Sequence, residues 1–167
     1  MEALGAEWVE EKGMTVFPRT DDGEPMLWDY QWKGYFKEAC GMLRRADKTE
    51  SKKLKAYKKE IDGLLFVKPR KIALQIPDGK QMGRCQRPLR AQTAQGERVA
   101  LSDSETVPAG TTQTFKLDLR KKDLLPYVIE WLEYGEDHGT GQWRNSGKGT
   151  FLFKMTDDRG EVVASNM

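Results

Sequence analysis

The sequence predicts an α+β fold, and three patterns carry this prediction. Apolar side chains recur at helical spacing over residues 29–46 and again over residues 123–134. Apolar and polar side chains alternate over residues 113–119, as they do in a half-buried strand. With shorter strand-like stretches added, the order is strand, helix, strand, excursion, strand, helix, strand. That order predicts a ferredoxin-like (RRM-like) antiparallel sheet with both helices on one face and the other face open.

Each predicted helix has an apolar stripe that would face the core. In the first helix the stripe comprises Trp32, Tyr35, Phe36, Ala39, Cys40 and Leu43. In the second helix it comprises Leu124, Leu125, Val128, Trp131 and Leu132. Asp123 is the expected cap of this second helix, and Pro126 is tolerated in its first turn.

The remaining predicted strands are short. Residues 14–17 form a short or incomplete first strand, and residues 64–67 and 71–76 are typical of two strands separated by a bend. Residues 150–155 supply the last strand. A first strand this short would leave an exposed sheet edge, through which the chain could pair with a partner or with a copy of itself.

The length of 167 residues is that of one ordinary domain. Four segments of this single domain stand out: a weakly ordered acidic lead, a lysine-rich insertion, a basic β-rich excursion and a tail. They lie at residues 1–25, 47–62, 78–108 and 156–167. The lysine-rich insertion has apolar residues at helical spacing, so it is either an exposed helix or a partly mobile insertion, which Asp62-Gly63 ends.

The composition excludes several classes of protein. Hydrophobic residues make up 38% of the chain and charged residues 32%, with five Trp, five Tyr and six Phe, so a disordered polymer is excluded. Every apolar stretch is shorter than the ~20 residues of a membrane span. The start of the chain lacks the pattern of a signal peptide, so we expect a cytoplasmic protein. Cys40 and Cys85 lack metal-ligand spacing, so we expect reduced cysteines, no metal and no other cofactor.

The charge is distributed unevenly along the chain. Residues 1–43 carry 4 basic and 9 acidic side chains (−5), whereas residues 44–98 carry 16 and 6 (+10). Residues 99–167 carry 8 and 11 (−3). A basic middle segment attracts phosphate at long range, although a lysine run is also typical of a solvated helix face.

A glycine-rich loop at residues 139–149 has the pattern G-x-G-x5-G-x-G and lies between a predicted helix and a predicted strand. Loops that bind nucleotides lie between a strand and the start of a helix, so this order excludes a P-loop or dinucleotide site. Glycine backbone can approach a sugar-phosphate chain closely, and Trp143 could stack on a base. The alternative is a simple helix-to-strand connection whose Trp packs into the core.

Three stretches, in the same order along the chain, resemble the RAMP superfamily of CRISPR-associated RNA-binding proteins. Residues 25–37, with the pair Lys33-Gly34, are similar to the family's P-x-hydrophobic-P-G-S-S-hydrophobic-K-G-x-x-R entry into its first helix. Residues 105–115 are similar to its E-x-hydrophobic-P-x-G-x-x-F lead into the third strand. The glycine-rich loop completes the set. The chain also resembles RAMP-like proteins carried by phages and prophages.

The resemblance implies a ferredoxin-like fold, guide-RNA binding as a backbone subunit and, in other branches, cleavage of the precursor RNA. It also implies that the basic excursion is the family's thumb. We therefore expect a non-catalytic protein that binds single-stranded RNA. The chain departs from the family where Trp28-Asp29-Tyr30 replaces a small Pro-Gly-Ser stretch. The expected RNA-binding residues are Lys33, Arg84, Arg87, Arg90, Arg98, Gly139, Gly141, Trp143, Arg144, Gly147, Lys148 and Gly149.

Two other functions remain open at the level of sequence. The first is a phage-encoded inhibitor that imitates a CRISPR subunit and docks onto the effector, which the acidic flanking segments favour. The second is a guide-RNA-processing ribonuclease, for which His138 is the only histidine. The neighbouring Glu136 and Asp137 argue against this, because their charge repels an RNA phosphate. Together with Glu133 they could hold a cation, but a solvated helix end is the simpler interpretation.

Overall fold

The structure is a computed structural model that describes residues 14–167; most of the predicted acidic lead therefore lies outside the described residues. Its contacts divide the chain into two compact units. Among the described residues, the hairpin unit comprises residues 14–27 together with Lys71–Thr114, and the helical unit comprises Trp28–Arg70 and Phe115–Met167. Within residues 14–167 no helix is both long and apolar enough to span a bilayer.

The helical unit contains the three α-helices of the described chain and two small antiparallel sheets. The helices are α1 (Asp29–Leu43), α2 (Tyr57–Leu64) and α3 (Leu125–Tyr134). The strands of one sheet are β3 (Leu65–Lys68) and β7 (Lys116–Leu119), and those of the other are β8 (Lys154–Thr156) and β9 (Val162–Ser165). The mixed α+β class predicted from the sequence is confirmed.

The hairpin unit is built from five short or extended strands. These are β1 (Met14–Thr15), β2 (Met26–Trp28, which ends at the unit boundary), β4 (Lys71–Ala73), β5 (Gly83–Thr93) and β6 (Gly96–Thr106). β2 pairs with β4, and the other three form a sheet in the order β1-β6-β5. The predicted β-rich excursion is thus one long antiparallel hairpin. The first strand, predicted over residues 14–17, is present only over Met14–Thr15, as β1.

The core of the helical unit follows from the predicted apolar stripes. Trp32, Phe36 and Cys40 on α1 are buried, as are Val128 and Trp131 on α3. The Trp32 ring meets Phe115 and Phe151 at centroid distances of 4.9 and 5.3 Å, so aromatic contacts join segments far apart in sequence. Periodicity therefore identified the two buried faces correctly.

Several boundaries differ from their predictions: the strand predicted over residues 71–76 ends at Ala73, and the last strand, predicted over residues 150–155, is Lys154–Thr156. Two further differences have a local reason. β7 begins at Lys116 and not at residue 113, because its partner β3 ends at Lys68, before Pro69, which has no N–H to donate. Asp123 does not cap α3: it lies in a 3-10 turn, and Leu124 occupies the cap position. The helix starts without a side-chain cap and has a proline in its first turn.

The lysine-rich insertion is neither a single helix nor ended by Asp62-Gly63. It contains a 3-10 turn at Glu50–Lys53, and positive φ angles at Lys48 and Ala56 interrupt it. α2 then continues through residues 62 and 63 to Leu64, because Ile61 and the following Leu65 are fully buried. Burial of the helix outweighs the helix-breaking tendency of one glycine.

Candidate nucleic-acid interface

The long hairpin fixes the positions of the four predicted arginines relative to one another. The register pairs Arg87 with Ser102, Arg90 with Val99, and Ala91 with Arg98. Because side chains alternate between the faces of a strand and cross-strand partners share a face, Arg87 and Arg98 lie on one face and Arg90 on the other. The hairpin thus carries basic side chains on both faces.

The base of the hairpin is held by acidic side chains. Arg84 Nε donates to both carboxylate oxygens of Asp103, at 2.7 and 2.8 Å, and these bonds hold the pKa of Asp103 below its ordinary value. Arg19 donates to Glu105 at 2.6 Å. Asp103 is 5% exposed, so its partner balances an almost buried charge. Arg84, a predicted RNA-binding residue, therefore has a structural role at this position.

The outer part of the hairpin has a different character. Every residue from 86 to 101 is exposed to solvent, and this stretch contains three arginines and one acidic residue, Glu97. Arg90 lies 3.8 Å from Glu97, and Arg98 donates to Gln95 Oε1 at 2.7 Å. Both contacts are at the surface, where an ion pair contributes little and is easily exchanged for another partner. We call residues 86–101 the ribbon.

The edge of the ribbon that β5 forms is interrupted by Pro88. β5 is the outer strand in the order β1-β6-β5, and Pro88 faces Leu101 across the pair. Proline has no backbone N–H, so in a strand it is tolerated where an N–H would point away from the paired strand. At Pro88 this is the open side of β5. This edge is a poor template for pairing with another strand. Contacts through the two faces of the ribbon do not depend on pairing at this edge.

Three apolar side chains accompany the arginines on the ribbon. Leu89 is 48% exposed, Val99 63% and Leu101 58%. By register, Leu89 lies on the face of Arg87 and Arg98, and the other two lie on the face of Arg90. Isolated two-stranded ribbons are marginally stable in water, so a ligand or partner that covers these side chains would also order the ribbon.

The glycine-rich loop is a surface excursion with a closed neck. The Thr140 N–H donates to the Gly149 carbonyl oxygen at 3.1 Å. A Cβ on Gly139 would collide with the backbone of Gly149, and a Cβ on Gly149 would collide with the carbonyl of Thr140. At these two positions glycine is required because two backbone segments touch. Its role in a close approach to phosphate remains a prediction.

The tip of this loop uses several of its polar groups internally. The N–H groups of Ser146, Gly147 and Lys148 donate to loop carbonyls, and a 3-10 turn runs from Arg144 to Ser146. Arg144 Nε lies 2.9 Å from a Glu38 carboxylate oxygen, which ties the loop to α1. Trp143 is half-buried. An RNA phosphate would therefore compete with Glu38 for Arg144.

Lys33 and His138 each have defined surroundings in the helical unit. Lys33 Nζ lies 4.6 Å from the Phe66 ring centroid and donates to the Asp62 carbonyl at 3.1 Å. The His138 ring stacks on Tyr134 at a centroid distance of 5.2 Å, and its Nε2 lies 3.6 Å from a carboxylate oxygen of Glu38. Within residues 14–167 the buried His138 Nε2 makes no hydrogen bond. The neighbours of this histidine at these distances are one carboxylate and one aromatic ring.

One surface cluster was missed at the level of sequence. The rings of Trp28 and Tyr30 are nearly parallel, with 11° between their planes and 6.1 Å between their centroids. The guanidinium of Arg70 lies 5.9 Å from the Trp28 ring centroid. The sequence feature that could have identified this cluster is the pair of aromatic residues at the start of α1, because neither residue belongs to the apolar stripe of that helix.

The remaining candidate sites in residues 14–167 are an acidic cluster and a lysine-lined cleft. No three metal-ligating side chains gather among residues 14–167, the acidic cluster near residue 136 included. A cleft of about 280 Å³ in the helical unit is lined by Lys53, Lys55 and Lys121, among others. Lys53 and Lys121 already lie 3.3 and 3.4 Å from glutamate oxygens. The ribbon is therefore the more accessible of these two basic surfaces.

Comparisons of the chain with models of protein families, with curated proteins and with solved structures found no match. The RAMP resemblance accordingly stays a prediction that rests on the three stretches quoted above. The four arginines belong to the hairpin unit, whereas Lys33 and the glycine-rich loop belong to the helical unit.

Proposed function

We propose that this chain is a non-catalytic RNA-binding protein of RAMP-like type, which holds single-stranded RNA through its ribbon. The observation that carries the proposal is the exposure of Arg87, Arg90 and Arg98 on both faces of a hairpin, with one acidic side chain among them. Arginine side chains on both faces of an exposed ribbon can bind phosphates on either side without a conformational change in the rest of the protein.

The proposal also includes the fold, the thumb and the cellular location that we expect from the sequence. The fold would be ferredoxin-like with the hairpin as its thumb, and the protein would act in the cytoplasm of a bacterial host. We assign the glycine-rich loop a smaller part in RNA binding, because its neck glycines serve backbone contact and Arg144 binds Glu38. We therefore assign the main RNA contact to the ribbon.

A charge-matched pair of variants tests the proposal. Replacing Arg87, Arg90 and Arg98 by Gln removes three positive charges from the ribbon. Replacing Lys55, Lys58 and Lys59 by Gln removes three from exposed positions in the lysine-rich insertion. We expect the ribbon variant to lose most of its affinity for an oligouridine of about 20 nucleotides, and the lysine variant to lose much less, because contacts require position as well as charge.

Equal losses in the two variants would show that only net charge matters, and would remove the ribbon as the binding site. Absence of RNA binding by the unchanged protein would remove the function itself. The ratio of absorbance at 260 and 280 nm, before and after a high-salt wash, provides an independent reading, since nucleic acid that copurifies and is then released supports the proposal.

A protein-docking module is the second candidate, and one observation favours it. Leu89, Val99 and Leu101 are exposed on the ribbon, and apolar side chains of this kind are typical of a surface that a protein partner covers. In this case the chain would dock onto a CRISPR effector by imitating a subunit. A pull-down of effector subunits with nuclease-treated protein separates the candidates, because RNA binding alone predicts no capture.

The ribonuclease alternative places His138 at the reacting phosphate. The structure places this side chain beside the Glu38 carboxylate and the Tyr134 ring, and neither group attracts an anion. We propose that the chain does not cleave RNA. Cleavage of a hairpin RNA that disappears in His138→Ala would contradict this part of the proposal.

A further inference from the structure

The start of α1 presents an aromatic surface to solvent. Tyr30 is 59% exposed, and it is the one aromatic side chain among the large apolar side chains exposed in residues 14–167. Its ring lies nearly parallel to that of Trp28. A pair of parallel rings at a surface is a flat area on which another planar group can continue the stack.

The backbone that carries these rings is held in place. The Trp28 N–H donates to Gln31 Oε1 at 2.7 Å, which closes the first turn of α1. The Asp29 N–H donates to the Arg70 carbonyl at 2.9 Å, so the bend after β3 is fixed against the start of the helix. The rings are therefore presented by a rigid part of the helical unit, which reduces the entropy lost on binding.

Positive charge adjoins the rings. The Arg70 guanidinium lies over Trp28, and Lys33, one turn along α1 from Tyr30, lies over the Phe66 ring. A cation over an aromatic face is attracted to the ring and places positive charge beside it. A ligand that combines a planar uncharged ring with adjacent negative charge matches this surface better than an apolar or cationic one.

From this geometry we infer that Trp28, Tyr30 and Arg70 form a stacking platform for an unpaired nucleobase of single-stranded RNA. The inference rests on the proposed function and deepens it. The ribbon and its base, residues 83–106, contain no aromatic side chain, so contacts there are to phosphate and ribose. The platform would add a contact to the base itself, because an aromatic ring can stack on any base.

The test uses Tyr30→Ala and Tyr30→Phe in the full chain, with Met42→Ala as the control. Met42 is 50% exposed on the same helix, so its truncation removes a comparable surface side chain far from the platform. The probes are a fluorescent oligouridine of about 20 nucleotides and an abasic ribose-phosphate chain of the same length. Thermal unfolding verifies that each variant is folded.

We expect Tyr30→Ala to bind oligouridine about tenfold more weakly, and Tyr30→Phe and Met42→Ala to bind it like the unchanged protein. The abasic chain should bind the unchanged protein and Tyr30→Ala equally, since it has no base to stack. An unchanged affinity of Tyr30→Ala for oligouridine, while the ribbon variant loses binding, would overturn the platform and leave the proposed function intact.

Two further outcomes would also decide against the platform. Equal weakening of Tyr30→Ala on the two probes would show that Tyr30 does not act on bases. Tyr30-dependent binding of a proline-rich peptide, without competition from oligouridine, would assign the rings to protein recognition. Failure of the unchanged protein to bind either probe would remove the platform together with the proposed function.

Discussion

At the scale of single residues, the glycines of this chain have separable roles. Gly139 lies where a side chain would enter the backbone of residue 149, whereas a Cβ on Gly34, in α1, would meet nothing within 4 Å. Neither has a positive φ. The two positions therefore differ in the space around them, and the same substitution at each isolates the steric effect.

We expect Gly139→Ala to destabilise the fold by more than about 2 kcal/mol, because the loop neck must open to accept a methyl group. Gly34→Ala should stabilise it by up to about 1 kcal/mol, because alanine is the better helix former. Urea unfolding of both variants measures the difference. Equal effects at the two positions would contradict the contact between residues 139 and 149.

A second residue-scale prediction concerns alkaline pH. Tyr35 donates to the Trp131 carbonyl at 2.6 Å, and burial raises the pKa of Tyr35 above its ordinary value of 10.0. The unfolded chain therefore loses this proton first as the pH rises, which stabilises the unfolded state. The free energy of unfolding should be constant for this group below pH 10 and fall above it.

The variant Tyr35→Phe should show a weaker loss of stability above pH 10, because it has no phenol to ionise. At neutral pH it should be less stable by about 1 kcal/mol, since the Trp131 carbonyl loses its donor. Chemical unfolding at several pH values measures both effects. Identical alkaline profiles for the variant and the unchanged protein would exclude Tyr35 as the responsible group.

At the scale of elements, the 3-10 turn Glu50–Lys53 is fastened to α3 by a buried polar cluster. The carboxylate of Glu130 accepts from the Glu50 N–H at 2.6 Å and from the Ser51 N–H at 3.0 Å. Ser51 is fully buried, and its Oγ accepts from Trp131 Nε1 at 2.9 Å. Each buried polar group of the cluster thus has a partner.

Replacing Ser51 by Ala should destabilise the protein by about 1 to 3 kcal/mol, because the indole N–H of Trp131 would be left without an acceptor. The control is Ser146→Ala in the exposed 3-10 turn of the glycine-rich loop, for which we expect less than about 0.5 kcal/mol. Thermal unfolding compares the two. Similar small effects would show that the cluster does not fasten the turn.

The helices could be predicted from the sequence because burial imposes one period on many residues. Trp32, Phe36 and Cys40 repeat that period and are buried as expected. The start of α3 and the cluster around Ser51 could not be predicted, because they depend on a few hydrogen bonds between distant segments. A single serine in a lysine-rich segment gives no signal that its hydroxyl meets Trp131.

At the scale of the whole molecule, the hairpin was predictable as β-rich but its exposure was not. Apolar residues at alternate positions of one strand, such as Val99 and Leu101, are typical of a half-buried strand, yet in the ribbon they face solvent. The arginines were identified as candidates, but only the structure separates Arg84, bound to Asp103, from those on the ribbon. The surface at Tyr30 was not expected at all.

The ribbon should be removable without loss of the fold. Thr93 and Gly96 are the paired residues that flank the natural two-residue turn. Arg87 and Ser102 lie an even number of pairs away along the ladder, so they are a pair of the same hydrogen-bonding type. Replacing residues 88–101 by Asn-Gly therefore gives a shorter hairpin. We expect a melting temperature within a few degrees of the original and a loss of RNA binding. Binding that survives this deletion would place the RNA elsewhere.

The dependence of RNA affinity on salt is the measurement that tests the central claim most directly. If Arg87, Arg90 and Arg98 each neutralise a phosphate, the affinity for oligouridine falls steeply between about 50 and about 200 mM salt. The variant with Gln at all three positions should show a log-log slope smaller in magnitude by about 2, at roughly 0.7 per lost phosphate contact. A slope identical in the two proteins would contradict the assignment of RNA binding to the ribbon.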